Sequence, residues 1–189
     1  MPAAKKTAAK KAPAKKTPAK KSSSSSRASG GGSGARDALA LLKADHKEVN
    51  ELFKQYEKMA DAEAEAEERQ TLAEQICDML TVHATIEEEI FYPAARESEV
   101  ESDLLDEAEV EHASAKDLIA QIKGMSPEDE LYDAKVKVLG EYVNHHVQEE
   151  EGEMFQKCRK AKMDLATLGT ELEARKSELM EEMAGGIPS

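Results

Sequence analysis

The sequence predicts an all-α protein: an antiparallel up-down-up-down four-helix bundle, preceded by a disordered basic tail and followed by one C-terminal helix. From residue 37 onward, apolar residues recur every three or four positions over long stretches, and short turn-forming segments separate these stretches. No segment alternates apolar and polar residues as a half-buried strand would. We therefore expect the tail at residues 1–35, the bundle at 36–162 and the last helix within 163–189.

The first two predicted helices cover about residues 37–60 and 65–97. One seam of the first helix carries Leu42, His46, Val49, Phe53 and Tyr56. The buried stripe of the second helix consists of Leu72, Ile76, Met79, His83, Ile86, Glu87 and Ile90. Pro93 lies near the end of the second helix and is expected to bend or terminate it.

The remaining predicted helices cover about residues 103–124, 127–161 and 165–184. Gly124 is expected to cap the third helix, and Ser126-Pro127 to start the fourth. The seam of the third helix carries Leu105, Ala108, His112, Ala115, Ile119 and Ile122. The seam of the fourth carries Tyr132, Val136, Leu139, Val143, His146, Glu150 and Met154.

Residues 1–35 form a low-complexity segment in which lysine pairs recur among Ala, Pro and Thr, followed by a Ser/Gly-rich linker. Residues 1–36 hold eight Lys, two Arg and no acidic residue, a charge of +10, whereas the remaining 153 residues carry −23. The segment has no apolar face to bury, so we expect disorder. It resembles the tails of linker histones, and its charges suit non-specific contact with DNA phosphates. The alternative is a solubilising tail that folds back onto the acidic domain.

Composition also restricts location and redox chemistry. No apolar run approaches the length needed to span a bilayer, and the basic N-terminus lacks the apolar segment of a secretory signal. We therefore expect a cytoplasmic protein, associated with the nucleoid if the tail binds DNA. Cys77 and Cys158 have no CxxC spacing and are interpreted as reduced, half-buried small hydrophobes, with a redox pair as the alternative.

Each predicted bundle helix places one histidine on its seam, and two helices add a glutamate four residues later. The six side chains are His46, His83, Glu87, His112, His146 and Glu150. The histidines are separated by 37, 29 and 34 residues, and each interval corresponds to one helix, a turn and the next helix back, so the imidazoles should lie at similar depth. A buried carboxylate needs a partner to offset its desolvation, so six converging polar side chains predict a metal site.

The donor types restrict the metal. Imidazole and carboxylate without thiolate suit iron, manganese or zinc, and they exclude a structural cysteine-type zinc site. Six ligands in two separated His/Glu pairs favour a two-metal centre in which each pair contributes a bridging carboxylate.

The order His, HxxxE with EEEIFYP, His, and HxxxE with EEEGEMF over about residues 37–160 resembles the hemerythrin-like HHE cation-binding domain family. The resemblance implies a non-haem site of two carboxylate-bridged iron ions held by the six side chains. It further implies binding of O₂, and in some relatives of peroxide or nitric oxide. Some relatives act in the handling of iron or oxidative stress.

At two positions the sequence differs from the animal oxygen carriers of this family. Those proteins have a second histidine four residues after the third-helix one, where this chain has Lys116. Their last-helix carboxylate comes five residues after its histidine, whereas Glu150 comes four after His146, so His145 is the alternative ligand although it lies on the neighbouring stripe. A missing histidine favours oxidation chemistry or sensing over reversible O₂ carriage.

We expect a protein that binds metal and O₂ or a related small oxidant, rather than an enzyme. The alternatives are a ferroxidase- or peroxidase-type stress enzyme on the same site, and a DNA-associated iron-binding protein that uses residues 1–35. Tyr92 and Phe155 are expected to pack the end of the bundle. The acidic residues that flank the two motifs are interpreted as a solvated face: Glu88, Glu89, Glu149 and Glu151.

Overall fold

The computed structural model describes residues 36–185, and all regular secondary structure in that range is helical. In order, the segments are α1 (Ala38–Asp61), α2 (Ala66–Ile86), the π-helical turn π1 (Glu87–Phe91), α3 (Tyr92–Glu97), α4 (Ser102–Lys123), α5 (Tyr132–Glu149), the π-helical turn π2 (Glu150–Met154), α6 (Phe155–Lys160) and α7 (Leu165–Gly185). None of these helices is both long and apolar enough to cross a membrane. The predicted tail at residues 1–35 lies outside the described residues.

The helices pack as a four-helix bundle with one helix on its outside. The hairpins α1–α2 and α4–α5 lie side by side, because α1 packs against α5 and α2 packs against α4. Helix α7 packs against α1, α2 and π1, and its Leu172 is fully buried. The predicted all-α class, with a bundle and an additional C-terminal helix, is confirmed.

Short turns with a repeated backbone conformation connect several helices. After α1, Glu63 has a positive φ of 49°, and the N–H of Ala64 donates to the Met59 carbonyl over 2.9 Å. Glu99 after α3 and Lys162 after α6 each have a φ of 58°. Such left-handed residues satisfy the last helical carbonyls and reverse the chain within a few residues, which makes consecutive helices antiparallel.

The fourth long helix begins at Tyr132, so the predicted start at residue 127 is wrong. The N–H of Ser126 donates to the Asp129 carboxylate over 3.0 Å, and the Ser126 hydroxyl accepts from the Glu128 N–H over 3.3 Å. These local bonds satisfy the backbone in a turn conformation that competes with a helix. Gly124 caps α4, as predicted.

The second long helix continues through Pro93 instead of ending there. The preceding turn π1 has the wider spacing of a π-helix, and the N–H of Tyr92 reaches back to the Glu87 carbonyl. Pro93 then falls in the first turn of α3, where a missing N–H is tolerated, and the helix runs on to Glu97.

Two clusters of buried apolar side chains fill the bundle. One cluster includes Val49, Phe53, Tyr56, Ile76, Leu139 and Val143. The other includes Leu39, Leu42, Ile86, Phe91, Phe155 and Leu172. In α1 the second cluster ends at Leu42 and the first begins at Val49, so His46 lies between them. The polar seam residues therefore form a layer enclosed between two apolar regions.

The two cysteines are free and buried, and they lie in different clusters, Cys77 in the first and Cys158 in the second. Burial raises the pKa of Cys77 to about 11 and that of Cys158 to about 12. Both thiols therefore stay protonated near neutral pH. This arrangement fits small core hydrophobes and gives no support to a redox pair.

Candidate metal centre

The structure brings all six predicted ligand side chains together in the polar layer of the bundle. The exposed fractions are 2% for His46, 8% for His83, 0% for Glu87, 5% for His112, 8% for His146 and 1% for Glu150. They form two groups whose candidate ligand atoms lie within 4.8 Å of one another, and Glu87 belongs to both groups. Shared membership means that one carboxylate reaches both parts of the site.

The four imidazoles form two pairs through their Nε2 atoms. The Nε2 atoms of His46 and His83 are 3.1 Å apart, and those of His112 and His146 are 3.2 Å apart. Two nitrogens bound at about 2.1 Å to one ion are about 3.0 Å apart at a right angle and about 3.4 Å apart at a tetrahedral angle. Each pair therefore has the spacing of two ligands on one metal ion.

The two glutamates connect the imidazole pairs. Glu87 Oε1 lies 3.3 Å from His83 Nε2, and Glu87 Oε2 lies 3.4 Å from His112 Nε2, so each oxygen faces a different pair. Glu150 Oε2 lies 3.2 Å from His46 Nε2 and 3.9 Å from His146 Nε2. Both carboxylates thus lie where they can bridge two ions.

The π-helical turns place these carboxylates. Glu87 opens π1 and Glu150 opens π2, each directly after an α-helix that carries the histidine four residues before it. A π-turn adds a residue to the helical repeat, which changes the direction of the side chains that follow without ending the helix. Glu88 and Glu151, the next residues in each turn, therefore project sideways to histidines of another helix.

A carboxylate faces the Nδ1 atom of every site histidine. His46 Nδ1 lies 3.0 Å from Glu151, His83 Nδ1 3.6 Å from Asp45, His112 Nδ1 2.9 Å from Glu88 and His146 Nδ1 2.8 Å from Glu111. An acceptor at Nδ1 places the ring proton there and leaves Nε2 free to bind a metal. This outer layer therefore orients the Nε2 atoms of His46, His112 and His146 toward the centre, while Asp45 faces His83 Nδ1 from beyond hydrogen-bonding distance.

The contacts repeat in the two halves of the bundle. Asp45-His46 on α1 corresponds to Glu111-His112 on α4, His83 on α2 to His146 on α5, and Glu87-Glu88 to Glu150-Glu151. Each histidine on the first helix of a hairpin contacts the second π-turn residue of the other hairpin. The site is therefore approximately twofold, and each half supplies groups to the other.

Burial and mutual repulsion shape the charges of the two central carboxylates. Burial, together with the nearby charge of Glu150, raises the pKa of Glu87 well above its usual value. Although burial opposes it, contact with His46 and the charge of His146 lower the pKa of Glu150 to about 2. At neutral pH the centre therefore holds at least one ionised carboxylate in a region closed to water.

Burial also acts on the imidazoles. It lowers the pKa of His83, and burial with the neighbouring His146 lowers the pKa of His112 to about 4. For His46, burial is outweighed by Glu150 and Glu151, which raise its pKa. Neutral His83 and His112 have an available Nε2 lone pair, the form in which imidazole binds metals.

Buried polar atoms without a hydrogen-bond partner indicate whether a cation would fit this site. Among the described residues, both carboxylate oxygens of Glu87 and both of Glu150 are buried without a hydrogen-bond partner. Leaving such groups buried and unpaired is costly, whereas a bound cation would satisfy them. Nitrogen and oxygen donors without thiolate suit iron, manganese or zinc. The six residues fit a metal centre.

Comparison with known proteins agrees with this geometry. A family model described as the hemerythrin HHE cation-binding domain matches residues 37–158. The chain belongs to the hemerythrin HHE cation-binding family. The His/Glu groups and the family together identify a metal-binding protein.

Two known proteins show the extent of the similarity. A crystal structure of a hemerythrin HHE cation-binding domain-containing protein from Mycobacterium kansasii superposes with a TM-score of 0.65 at 23% identity, covering 80% of this chain and 95% of that one, which supports the fold. A protein from Nostoc sp. strain PCC 7120 described as a DNA nickase is 32% identical over 147 residues, covering 77% of this chain. The hemerythrin-like chain spans 40% of the length of that Nostoc protein.

A small cavity of about 40 Å³ adjoins the hemerythrin-like site. Its walls are mostly apolar and include Val49, Leu80, Val143 and Val147 beside the imidazoles. A space of this size accepts about one small molecule and favours an apolar one.

The hemerythrin-like site departs from its twofold pattern at the aromatic residue that follows each π-turn. The Tyr92 hydroxyl lies 3.4 Å from His112 Nε2, whereas Phe155 stacks on His46 with ring centroids 6.0 Å apart. Burial and the charge of Glu87 raise the pKa of Tyr92 well above its usual value, so the phenol keeps its proton. These aromatics, predicted to pack the bundle end, lie against the site itself.

The alternative ligand His145 lies outside the hemerythrin-like site. Its side chain is 64% exposed and faces Glu149 over 3.4 Å and Glu111 over 3.6 Å at the surface. The structure thus separates it from the other imidazoles. Lys116, at the position of the second histidine of the oxygen carriers, pairs with Glu88 over 2.5 Å, and Glu88 in turn contacts His112 Nδ1 over 2.9 Å.

The interpretation of Glu88 and Glu151 as solvated surface is wrong, because both contact site histidines of the hemerythrin-like bundle. Asp45 and Glu111 were not recognised from the sequence at all. The sequence does contain a matching pattern: an acidic residue directly precedes His46 and His112 and directly follows Glu87 and Glu150. Such acids are common on helices, and only the packing distinguishes these four.

Proposed function

We propose that this protein holds two iron ions in the bundle and that O₂ or a related small oxidant reacts or is sensed there. The carboxylate of Glu87 supports this most directly, because its two oxygens face two different imidazole pairs at 3.3 and 3.4 Å. A single ion would use one of these faces and leave the other pair without a role. Manganese and zinc are the competing metals for the same donors.

The residues would divide the work as follows. Each imidazole pair and its share of Glu87 and Glu150 would bind one ion, and the four outer carboxylates would keep the Nδ1 protons in place. Iron bound there would supply redox chemistry toward O₂. The apolar cavity would admit a small uncharged molecule and exclude bulk water, while the protonated Tyr92 hydroxyl offers a hydrogen bond beside His112.

Metal analysis of protein loaded with Fe(II) under nitrogen tests the proposal. We expect two irons per chain in the natural sequence, at most one in Glu87→Gln, and two in Glu153→Gln, a matched control at an exposed position of π2. On admission of air, the optical spectrum should change in the natural sequence and in the control. A natural sequence that takes up no iron, or a Glu87→Gln variant that keeps two irons, would contradict the proposal.

The same samples test the enzymatic alternative. Sustained turnover of Fe(II) or peroxide that is lost in Glu87→Gln and kept in Glu153→Gln would identify a ferroxidase or peroxidase. A single optical change, in proportion to the amount of bound metal and without turnover, would indicate binding or sensing.

A second candidate function is metal-dependent action on DNA, with the protein located on the nucleoid. Two observations favour it: the +10 charge of residues 1–36, and the similarity to a Nostoc protein described as a DNA nickase. A tail that neutralises phosphates should give DNA binding that weakens steeply with salt. We expect this binding to be lost in a chain that begins at residue 36, and nicking of supercoiled plasmid to be lost in Glu87→Gln. Equal binding by the shortened chain would contradict the role of the tail.

A further inference from the structure

Helix α7 carries a lysine in the middle of its inward-facing stripe. Leu165, Leu168, Leu172 and Leu179 of this helix all pack against the second core cluster. Lys176 falls on the same three-and-four spacing, at a position where another leucine would be expected. Helix α7 also lies beyond residues 37–158, the part of the chain that the family model matches.

The ammonium group of Lys176 reaches the outer layer of the metal centre. Its Nζ lies 2.6 Å from Asp45 Oδ1, and the side chains are 24% and 6% exposed. The other oxygen, Asp45 Oδ2, faces His83 Nδ1 at 3.6 Å. Neither Asp45 Oδ2 nor His83 Nδ1 has a hydrogen-bond partner among the described residues, so each is the available partner of the other. Lys176, Asp45 and His83 thus form a line from α7 to the site.

The packing of α7 fixes where Lys176 lies. A Cβ added at Gly169 would fall 2.2 Å from the Arg36 carbonyl oxygen and 2.8 Å from the Ala38 nitrogen, so α7 touches the backbone at the start of α1. Leu172, one turn later, is fully buried. Lys176 follows Gly169 by two helical turns on the same face, so this close contact places it beside Asp45.

Among residues 36–185, no lysine or arginine forms an ion pair with the corresponding carboxylate in the other half of the site. The counterpart of Asp45 is Glu111, whose second oxygen faces the exposed His145 at 3.6 Å. A buried carboxylate needs a neighbouring positive charge to stay ionised. Lys176 supplies this charge to Asp45 through an Nζ–Oδ1 contact of 2.6 Å, and the other carboxylate oxygen faces His83 Nδ1 at 3.6 Å.

We propose that α7 completes the metal centre: Lys176 is a positioning residue that acts through Asp45 to keep the His83 ring proton on Nδ1 and its Nε2 directed at the ion. This inference rests on the proposed metal binding by the six-residue site. Full metal affinity would then require α7, a helix that lies outside the region matched by the family model.

Competition with a chelator measures the metal affinity of each variant in the full chain. Removing an outer-layer partner typically weakens metal binding about 10–100-fold, so we expect about tenfold for Lys176→Met. Lys176→Arg, which restores the charge, should recover most of the affinity. Arg175→Met is the matched control: it removes the neighbouring charge of α7, which pairs with Glu89 over 2.8 Å at the surface, and should change affinity less than about twofold.

A double-mutant cycle with Asp45→Asn tests the route. If Lys176 acts through Asp45, adding Lys176→Met to Asp45→Asn should weaken metal binding little further. Unchanged affinity in Lys176→Met, full additivity with Asp45→Asn, or equal losses in Lys176→Met and Arg175→Met would each overturn the inference. Lys176→Gln gives the same test if the methionine variant does not fold. Failure of the natural sequence to bind metal would instead contradict the proposed function.

Discussion

At the scale of single residues, Glu87 has an unfavourable environment in the metal-free protein. Its side chain is fully buried, its oxygens have no hydrogen-bond partner among the described residues, and burial with the charge of Glu150 raises its pKa. A group whose charge is disfavoured in the folded state reduces stability at neutral pH, and bound cations reverse that effect.

We therefore predict opposite signs for Glu87→Gln with and without metal. In the presence of a chelator at pH 7, the substitution should raise the free energy of unfolding by about 1–3 kcal/mol, because an amide has no raised pKa and so removes the cost of protonating or burying the charged acid. With metal bound, the substitution should lower the free energy of unfolding, because a candidate metal ligand is lost. Denaturant titrations under both conditions measure this, with Glu153→Gln as the control. A metal-free variant that is less stable than the natural sequence would contradict the prediction.

A second prediction at this scale concerns pH and His112. Its pKa falls to about 4 in the folded protein, from the ordinary value of 6.5, because of burial and His146. Between these values the unfolded chain binds a proton that the folded protein does not, so this residue costs stability as pH falls. In the metal-free protein, His112→Gln should therefore gain stability relative to the natural sequence between pH 6.5 and 4. His145→Gln, at an exposed position, is the control, and a constant difference for His112→Gln across this range would exclude the effect.

The spacing of apolar residues predicted the six inward-facing side chains. A helix that buries one face carries apolar residues every three or four positions, and this pattern is visible without knowing which helices pack against it. His83 and Glu87 share a face in any α-helix, and so do His146 and Glu150. The outer contacts could not be predicted in the same way. Whether Glu88 reaches His112, or Asp45 faces His83, depends on how two helices approach each other.

At the scale of elements, the π-turns are one part of the fold that the sequence did not reveal. The sequence hides the change of repeat because Ile90 continues the four-residue spacing from Ile86, whereas the structure buries Phe91 fully and leaves Ile90 half-buried. The start of α5 was missed for a different reason. Ser126-Pro127 matches the pattern of a helix start, but the Ser126 and Asp129 side chains satisfy the backbone of a turn there.

Gly152 gives a prediction for π2. It is exposed, its φ is not positive, and a Cβ placed there meets nothing within 4 Å. Because glycine costs about 0.5–1 kcal/mol in a helix relative to alanine, Gly152→Ala should raise the free energy of unfolding by about that amount with no change in metal content. Thermal or denaturant unfolding measures it. A loss of stability would show that π2 requires the flexibility of glycine.

At the scale of the whole molecule, α7 connects the start of α1 to the metal centre. Gly169 contacts the backbone at Arg36, Leu172 fills the second core cluster, and Lys176 reaches Asp45. The sequence predicts that α7 lies outside the bundle but predicts no role for it. The spacing of apolar residues in α7 shows that one face is buried, and it does not show which helices that face packs against.

Gly169→Ala should change the free energy of unfolding in the opposite direction to Gly152→Ala. The new methyl group would meet backbone atoms of Arg36 and Ala38, which cannot move aside as a flexible side chain would. We expect a loss of about 1–3 kcal/mol in the free energy of unfolding, together with faster amide exchange in α7. Equal stability of Gly169→Ala and the natural sequence would mean that α7 does not dock as described.

The positions of the two central carboxylates have a consequence for the folding pathway. Glu87 follows the first hairpin and Glu150 the second, and each faces histidines of both hairpins, so neither hairpin alone has a complete binding site. Ions can therefore be captured only after the hairpins have associated, which is a late step in the reaction. Interactions that form after the rate-limiting barrier slow unfolding and leave the folding rate nearly unchanged. A bound metal should accordingly lengthen the lifetime of the native state, and chevron plots recorded with and without metal should differ mainly in the unfolding limb.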